Sequence, residues 1–211
     1  CVWWNIMKEY FQKVSDYLFN SLVPNEILIL NFDAEQTDFV RFNHAKIRQA
    51  GNVNQATLTL SLVFKRKSLN SVIRLSLDYE KDSVLLLRTL YYLRREIPEL
   101  PQDPYLMYER NINSFDRESN IKLLDSTSIT DSILHDCHSL DMVGILSSGG
   151  IMKGFSNSLG QSNWHENQSF NFDWSMYTKS GKAIKQNYSD QVWDQKLFNS
   201  LVEESKQKLN V

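Results

Sequence analysis

The sequence has 211 residues, of which 42% are hydrophobic and 23% charged, and its formal net charge is −2. This composition is typical of a soluble globular protein that is long enough to bury a core of its own. The small net charge excludes a general electrostatic attraction to nucleic acid, and the only local basic cluster, Lys65-Arg66-Lys67, is interpreted as a solvated hairpin turn. No apolar run is long enough to span a bilayer, so no membrane association is expected.

The cysteines and the N-terminal residues bear on the compartment. Cys1 and Cys137 are the only cysteines, so no disulfide framework is expected. This cysteine content is compatible with a reducing compartment, and the expected location is the cytoplasm. Charged residues such as Lys8 and Glu9 interrupt the first apolar stretch, a pattern of an amphipathic helix rather than a signal peptide. The chain begins with cysteine rather than methionine, which is typical of a fragment.

Apolar periodicity predicts one helix and then a series of strands in the first 77 residues. From Trp3 onward, apolar residues recur every three or four positions, which predicts an amphipathic helix that ends before Pro24. Residues 26–32 are apolar and rich in branched side chains, which predicts a strand. Alternating apolar residues then predict a meander of antiparallel strands over residues 39–77, with Gly51-Asn52 as a turn or bulge.

The second part of the sequence returns to helices and then to strands. Asp82-Ser83 is predicted to cap a helix over residues 84–97, and the proline-rich residues 98–104 are predicted to be an extended connector. The remaining predicted elements are a helix over 125–138, a strand over 142–146 followed by a glycine-rich break at Gly149-Gly150, strands over 170–177 and near Tyr188, and a closing helix over 190–209. Strands grouped apart from helices predict an α+β fold, an antiparallel (mixed) sheet with helices packed against it.

Three groups of segments, taken together, resemble one known family. They are Thr37 to Asn43 continuing as Lys46 to Gln55; Leu100 to Pro104; and Gly154 to Gln161 followed by Trp164 to Glu166 and Phe172 to Tyr177. In this order and spacing they are similar to the N-terminal part of TldD/PmbA proteins, the modulator of DNA gyrase family of peptidases, and closer to the PmbA (TldE) side. The resemblance covers residues 25–209. It implies an N-terminal helix (1–24), an N-terminal α+β domain of the TldD/PmbA type (25–104), a second, central α+β segment (105–211) and an absent C-terminal domain.

The resemblance also implies a function. Family members are two-part proteins that act in proteolysis and peptide maturation, here as a dimer with a TldD-like subunit or with a second copy. In TldD-type members a histidine–glutamate–histidine motif binds the metal, and it belongs to the part downstream of Val211. Zinc is therefore expected only in a TldD-type partner, and no cofactor is expected in this chain. The other implied partners are a peptide substrate and DNA gyrase, with no direct nucleic acid and no membrane.

The sequence contains no recognisable catalytic or metal-binding motif. A zinc peptidase needs two histidines one helical turn apart and a carboxylate that activates water, and no HExxH motif occurs. The nearest arrangement, residues 135–138 (HDCH), is interpreted as a solvated helix end, with an independent zinc site as the weaker alternative. His165 and Glu166 point to opposite faces of a predicted strand and do not form a general-base pair. Residues 147–150 (SSGG) lack the GxSxG pattern of a nucleophile elbow.

Five polar residues inside the family-like segments form the candidate site. Arg41 and Asn43 lie two positions apart on a predicted strand, so their side chains share one face. Asn157, Ser158 and Gln161 cluster in a predicted loop bounded by glycines. Because guanidinium and amide groups pair well with a peptide backbone, these residues are assigned to peptide binding or interdomain contact. The alternative is that they cap turns and satisfy buried backbone groups.

The leading hypothesis is a non-catalytic, N-terminal part of a TldE-like protein of this metallopeptidase family, which binds peptide and takes part in subunit assembly. The alternative from another class is a protein-binding module that modulates DNA gyrase without proteolysis.

Overall fold

The structure, a computed structural model, describes residues 2–209, with side chains from Ile6 onward. Cys1 and the side chain of Trp3 lie outside the described part. The elements in chain order are α1 (Val2–Phe19), β1 (Glu26–Asn43), β2 (Lys46–Phe64), β3 (Lys67–Arg74), α2 (Tyr79–Glu96), a short 3-10 helix (Ile97–Glu99), β4 (Phe115–Arg117), α3 (Ser126–Cys137), β5 (Asp141–Asn157), β6 (Ser162–Tyr177), β7 (Ala183–Asp190) and α4 (Gln195–Leu209).

The seven strands formed by residues 2–209 belong to one sheet. Their order is β3-β2-β1-β5-β6-β4, and β7 also pairs with β6. β2 and β3 are antiparallel with Phe64 opposite Lys67, whereas β4 is parallel to β6 with Phe115 opposite Asn163. The four helices pack against this sheet, so the predicted α+β fold is confirmed. None of the helices within residues 2–209 is long and apolar enough to cross a membrane.

The chain divides into two compact units that alternate along the sequence. Unit 1 contains residues 1–34, 55–118 and 152–166, and unit 2 contains residues 35–54, 119–151 and 167–211. Four long strands, β1, β2, β5 and β6, therefore begin in one unit and end in the other. These units group the chain differently from the segments 25–104 and 105–211, which stay a prediction.

Each unit has its own hydrophobic core, built from two helices and one face of the strands. In unit 1 the buried residues of α1 and α2 recur at helical spacing and meet alternate residues of β1 and β2. This core includes Phe11, Leu18, Phe32, Leu58, Leu60, Leu62, Leu86 and Leu90. In unit 2, α3 and α4 cover the buried face of β5, β6 and β7, with Ile129, Ile133, Phe170, Phe172, Trp174 and Phe198 in the core.

The strands continue through two glycine positions that were expected to interrupt them. The break predicted at Gly149-Gly150 is wrong, and Gly51-Asn52, predicted as a turn or bulge, does not form a turn. β2 runs through Gly51, and β5 runs through Gly149 and Gly150. At Gly51 the glycine leaves room for a neighbour, since a Cβ there would lie 2.5 Å from the Phe39 ring. Glycine inside a strand commonly marks such a close approach rather than a chain reversal.

Two of the hairpin turns contain no glycine. His44 and Ala45 connect β1 to β2, and Lys65 and Arg66 connect β2 to β3, all four with positive φ between 47° and 61°. Two consecutive residues in this conformation form the tight turn that matches the right-handed twist of paired strands. The interpretation of this basic cluster as a hairpin turn is therefore confirmed for Lys65 and Arg66, whereas Lys67 is the first residue of β3.

The starts of two predicted helices need correction. α2 begins at Tyr79, and its cap is Asp78, whose side chain accepts from the backbone N–H groups of Glu80 and Lys81. Asp82, the predicted cap, is instead a buried carboxylate inside the first turn. The closing helix begins at Gln195 rather than at residue 190, because β7 extends to Asp190.

Asp82 lies at the centre of a polar cluster within unit 1. Its carboxylate accepts hydrogen bonds from the backbone N–H of Ser76 at 3.1 Å, the Ser76 hydroxyl at 2.9 Å, the Leu77 N–H at 2.8 Å and the Tyr10 hydroxyl at 2.6 Å. Burial, and then the bond to Asp82, raises the pKa of the Tyr10 hydroxyl, which therefore stays protonated and donates. The cluster ties α1 and the β3–α2 connection together.

An ion pair in unit 1 provides a pH-dependent contribution to stability. Arg94 donates from Nε and Nη2 to the two carboxylate oxygens of Glu26 at 2.6 and 2.8 Å, and the Glu26 side chain is only 3% exposed. Burial acts to raise the pKa of Glu26, but the hydrogen bonds from Arg94 and from the Val23 N–H outweigh it, and the net pKa is lowered. The stabilisation is therefore present above the ordinary value of 4.5 and is lost as the pH falls through the folded-state pKa.

We expect Glu26→Gln to lower the free energy of unfolding by about 2 kcal/mol at pH 7, because a charge-assisted bidentate pair is replaced by a neutral one. The difference from the unaltered chain should shrink as the pH is lowered from 5 to 3, as measured by urea unfolding at each pH. Glu203→Gln, which removes an exposed partner of Lys206, is the control and should change stability by less than about 0.5 kcal/mol. A pH-independent difference for Glu26→Gln would contradict the assignment.

Candidate functional site

An open cavity of about 440 Å³ in unit 2 contains two of the five predicted site residues. We call it the arginine groove, and its polar lining consists of Arg41, Asn43, Arg48, Gln49, Asp173, Ser175 and Lys185. These side chains come from β1, β2, β6 and β7, and β5 contributes Gly144 and Ile145. The prediction that Arg41 and Asn43 share a face of one strand is confirmed.

Strand alternation explains why polar side chains gather here. Phe42 on β1 and Phe172 and Trp174 on β6 are buried beneath α3 and α4, with ring centroids 5.7 Å apart for Phe42–Phe172 and 4.8 Å for Phe172–Trp174. Since successive side chains of a strand point to opposite faces, Arg41 and Asp173 must lie on the face away from these helices.

The arginine groove carries a positive balance of charge. Arg41, Arg48 and Lys185 contribute three cations, whereas Asp173 is the only carboxylate in the lining. Hydrogen bonds from Asn171 and Asn187, at 3.1 and 3.0 Å, lower the pKa of Asp173, and the charge of Lys185 lowers it further. Asp173 therefore stays ionised near neutral pH, and two net positive charges remain for an incoming group.

Gly144 keeps the floor of the arginine groove close-packed. A Cβ at this position would lie 2.9 Å from the carbonyl oxygen of Asp173 and 3.1 Å from the Cβ of Trp174. Any larger residue would push β5 away from β6 at the groove. Gly144, Asp173 and Lys185 were not predicted as site residues, because they join Arg41 only through pairing between strands distant in sequence. Arg48 was not predicted either, although it lies on β2, the hairpin neighbour of β1.

The other three predicted site residues lie together in unit 1, beside a second cavity of about 370 Å³. Asn157 Oδ1 accepts from the backbone N–H groups of Leu159 and Gln161, both at 3.0 Å, and Ser158 Oγ accepts from the Leu28 N–H at 3.1 Å. The Gln161 side chain donates to the Asn113 carbonyl at 2.7 Å.

These bonds are the turn-capping and backbone-satisfying roles of the alternative interpretation. Asn157 holds the tight turn between β5 and β6, and Gln161 ties this turn to the segment that precedes β4. The assignment of Asn157, Ser158 and Gln161 to peptide contact stays a prediction. The residues Arg41 and Asn43 belong to a different unit from these three.

The residues of the weaker zinc alternative do not converge. Cys137 is fully buried in the core of unit 2, whereas His135 and His138 are exposed. Burial, and then the charge of Asp136, raises the pKa of the Cys137 thiol to about 12, so the sulfur stays a protonated, unreactive core group. Among the described residues, no three His, Cys, Asp or Glu side chains are arranged to hold a metal ion.

The remaining sequence candidates have structural roles. Glu166 is buried and accepts from the indole N–H of Trp164 at 2.7 Å, in agreement with the opposite orientation predicted for His165 and Glu166. Residues 147–150 lie inside β5, where no strand-to-helix turn of a nucleophile elbow exists.

Comparison with known proteins shows similarity only at the level of structure. No family model matches the sequence, and no curated protein matches it. Among solved structures, TldE from Thermococcus kodakarensis matches 97% of this chain with a TM-score of 0.60 and 11% identity, over 47% of its own length. A candidate modulator of DNA gyrase from Bacteroides thetaiotaomicron VPI-5482 matches 96% with a TM-score of 0.62 and 11% identity, over 49% of its length.

A second candidate modulator of DNA gyrase, from Thermotoga maritima MSB8, matches 97% of the chain with a TM-score of 0.61 and 8% identity, over 48% of its length. The chain thus spans about half the length of each of these proteins. Identities this low establish the fold alone. At that level the resemblance seen in the sequence is confirmed, and the chain has the fold that TldE and these gyrase-modulator proteins contain in about half of their length.

Proposed function

We propose that this chain is the non-catalytic, peptide-binding part of a TldE-like protein, and that the arginine groove is its peptide site. The observation that carries the proposal is the groove itself, an open cavity of about 440 Å³ with two arginines on a polar sheet face, in a fold shared with TldE.

The chemistry of the groove suits an extended peptide. Arginine presents a fixed fork of donors that pairs with backbone carbonyls and, most strongly, with carboxylates. Asn43 offers both a donor and an acceptor, which is what a peptide backbone requires. Because the lining has a positive balance, we propose that acidic side chains or a terminal carboxylate favour binding.

We further propose that proteolysis and peptide maturation require assembly with a metal-bearing, TldD-like subunit in the cytoplasm. Zinc would then be held by that subunit, and this chain would serve in peptide binding and subunit assembly, as a heterodimer or with a second copy. The support for this step is the likeness to TldE together with the fact that the chain spans about half of that protein's length.

We expect the double replacement Arg41→Glu with Arg48→Glu to weaken binding of an acidic extended peptide by about 10-fold or more, which corresponds to about 1.4 kcal/mol. The reason is that two attractive charges become repulsive at the same site. The measurement is fluorescence anisotropy with a short labelled peptide of alternating glutamate and valine. The affinity of the unaltered chain should also fall as salt is added, because exposed charges are screened.

Lys122→Glu, at an exposed position outside the groove lining, is the matched control and should bind as the unaltered chain does. Equal losses for the control and the double variant would show a nonspecific charge effect and overturn the assignment of the groove. An unaltered chain that binds neither the acidic peptide nor an otherwise identical neutral one would overturn the proposed function.

A second candidate function is a protein-binding module that modulates DNA gyrase without proteolysis. It is favoured by the names of two structural neighbours, which describe candidate modulators of DNA gyrase. Direct binding to purified gyrase, with no binding of peptide and no assembly with a TldD-like subunit, would favour this function over the first.

A further inference from the structure

Helix α2 exposes four large apolar side chains within nine residues. Val84 is 59% exposed, Leu85 41%, Tyr91 56% and Tyr92 51%. Single exposed apolar residues are normal on protein surfaces, but a contiguous group of this kind is typical of an interaction site.

Helical spacing makes these residues one continuous surface. Val84 and Leu85 precede Arg88 by four and three positions, and Tyr91 and Tyr92 follow it by three and four positions. Residues spaced three or four apart lie on the same side of a helix, so all five form one face. The core-facing residues Leu86, Leu90 and Leu93 occupy the opposite side of the helix and are fully buried. We call the exposed surface of Val84, Leu85, Arg88, Tyr91 and Tyr92 the α2 face. Its apolar and aromatic content therefore does not contribute to the core of unit 1.

The charges on and beside the α2 face leave one cation without a partner. Lys81 is paired with Asp78 at 2.8 Å, and Arg95 is paired with Glu96 at 2.8 Å. Arg88, at the centre of the face, forms no hydrogen bond or ion pair with any part of the chain that the structure describes. A partner that covers this face without a carboxylate would bury an unpaired guanidinium, which is costly.

We propose that the α2 face binds an amphipathic helix of a partner protein that presents one carboxylate surrounded by apolar side chains. The carboxylate would pair with Arg88, and the apolar residues would pack on Val84, Leu85, Tyr91 and Tyr92. Tyrosine and arginine are among the residues most enriched at the energetic centres of protein interfaces. A second copy of this chain does not fit, because two-fold pairing across the α2 face would set Arg88 against Arg88 of the other copy.

The test is a charge-swap experiment with two synthetic amphipathic helices that differ only at one central position, glutamate in one and lysine in the other. We expect the unaltered chain to bind the glutamate helix at least 10-fold more tightly than the lysine helix, measured by fluorescence anisotropy. Arg88→Glu should reverse this preference, and Leu85→Ala combined with Tyr92→Ala should weaken binding of the glutamate helix by at least 10-fold. Arg74→Glu, at an exposed position at the end of β3, is the matched control and should keep the original preference.

Equal affinity for the two helices, no binding of either, or an unchanged preference in Arg88→Glu would each overturn the proposal. Sedimentation of the unaltered chain supplies an independent check. A dimer that Leu85→Ala and Tyr92→Ala dissociate would identify a second copy as the occupant and would also overturn it. The outcome is independent of the arginine groove, so failure here leaves the proposed peptide-binding function to its own test.

Discussion

Asp82→Asn is expected to lower the free energy of unfolding by about 3 kcal/mol, measured by urea unfolding followed by tryptophan fluorescence. The carboxylate of Asp82 is 3% exposed and accepts from Ser76, Leu77 and Tyr10. Asparagine has the same shape, but its amide nitrogen is a donor and would face N–H or O–H groups that also donate. At least one buried donor is then left without an acceptor, and that unsatisfied group accounts for most of the loss.

Two controls separate this effect from a general effect of charge removal. Asp131→Asn changes an exposed carboxylate on α3 and should alter stability by less than about 0.5 kcal/mol. Tyr10→Phe removes one of the donors and should cost about 1 kcal/mol, clearly less than Asp82→Asn. A loss for Asp82→Asn no larger than that for Asp131→Asn would mean that the buried cluster contributes little to stability.

The role of Asp82 shows where sequence reasoning about helix ends is limited. Both Asp78 and Asp82 precede apolar periodic residues and could cap the helix, and local pattern alone favoured the later one. The role of Asp82 is decided by the hydroxyls of Tyr10 and Ser76, which donate to its carboxylate at the fourth residue of α2. Asp78 is left to cap the helix. This arrangement comes from packing between α1 and α2, so it is not visible in the local sequence.

The class of fold could be predicted because it depends on short-range periodicity. Alternation over residues 58–64 and helical spacing over residues 84–97 both persist in the structure. The lengths of β1, β2 and β5, at 18, 19 and 17 residues, could not be predicted, because polar and glycine residues inside them resemble turns. The tight turns at His44-Ala45 and Lys65-Arg66 use residues that rarely adopt positive φ, so only the second was anticipated, from its position between two alternating runs.

Of the residues that line the arginine groove, the sequence predicted only the two that lie on the same strand, β1. Arg41 and Asn43 share a face because side chains alternate, and that rule requires no knowledge of neighbours. Asp173 and Lys185 join them through the order of strands in the sheet, and the sequence does not give that order. Arg48 joins them through the hairpin between β1 and β2, whose turn at His44-Ala45 was not predicted. Asn157 and Gln161 were selected because amide side chains can hydrogen-bond to a peptide backbone. In the structure both amide groups already form hydrogen bonds to backbone groups of this chain.

Gly149 was predicted to lie in a turn but lies inside β5, and we expect substitution of this glycine to destabilise the fold strongly. A Cβ at residue 149 would lie 2.2 Å from the carbonyl oxygen of Gln36 and 2.6 Å from the Cα of Thr37. Both atoms belong to the backbone of β1, which pairs with β5, so neither can move without disturbing the sheet. A side chain at this point is therefore far more disruptive than one that meets only the end of a flexible group.

We expect Gly149→Ala to lower the free energy of unfolding by about 3 kcal/mol, at the upper end of overpacking effects, because β1 and β5 must separate locally. Gly181→Ala is the control: Gly181 has a φ of 84° with no atom within 4 Å of the added Cβ, so only backbone strain of about 1 kcal/mol is expected. Urea unfolding of the two variants measures the difference. Suppose that Gly149→Ala lowered the free energy of unfolding by no more than Gly181→Ala does. Then β1 and β5 could not approach each other as closely as the structure shows, and the continuity of β5 through Gly149-Gly150 would be wrong.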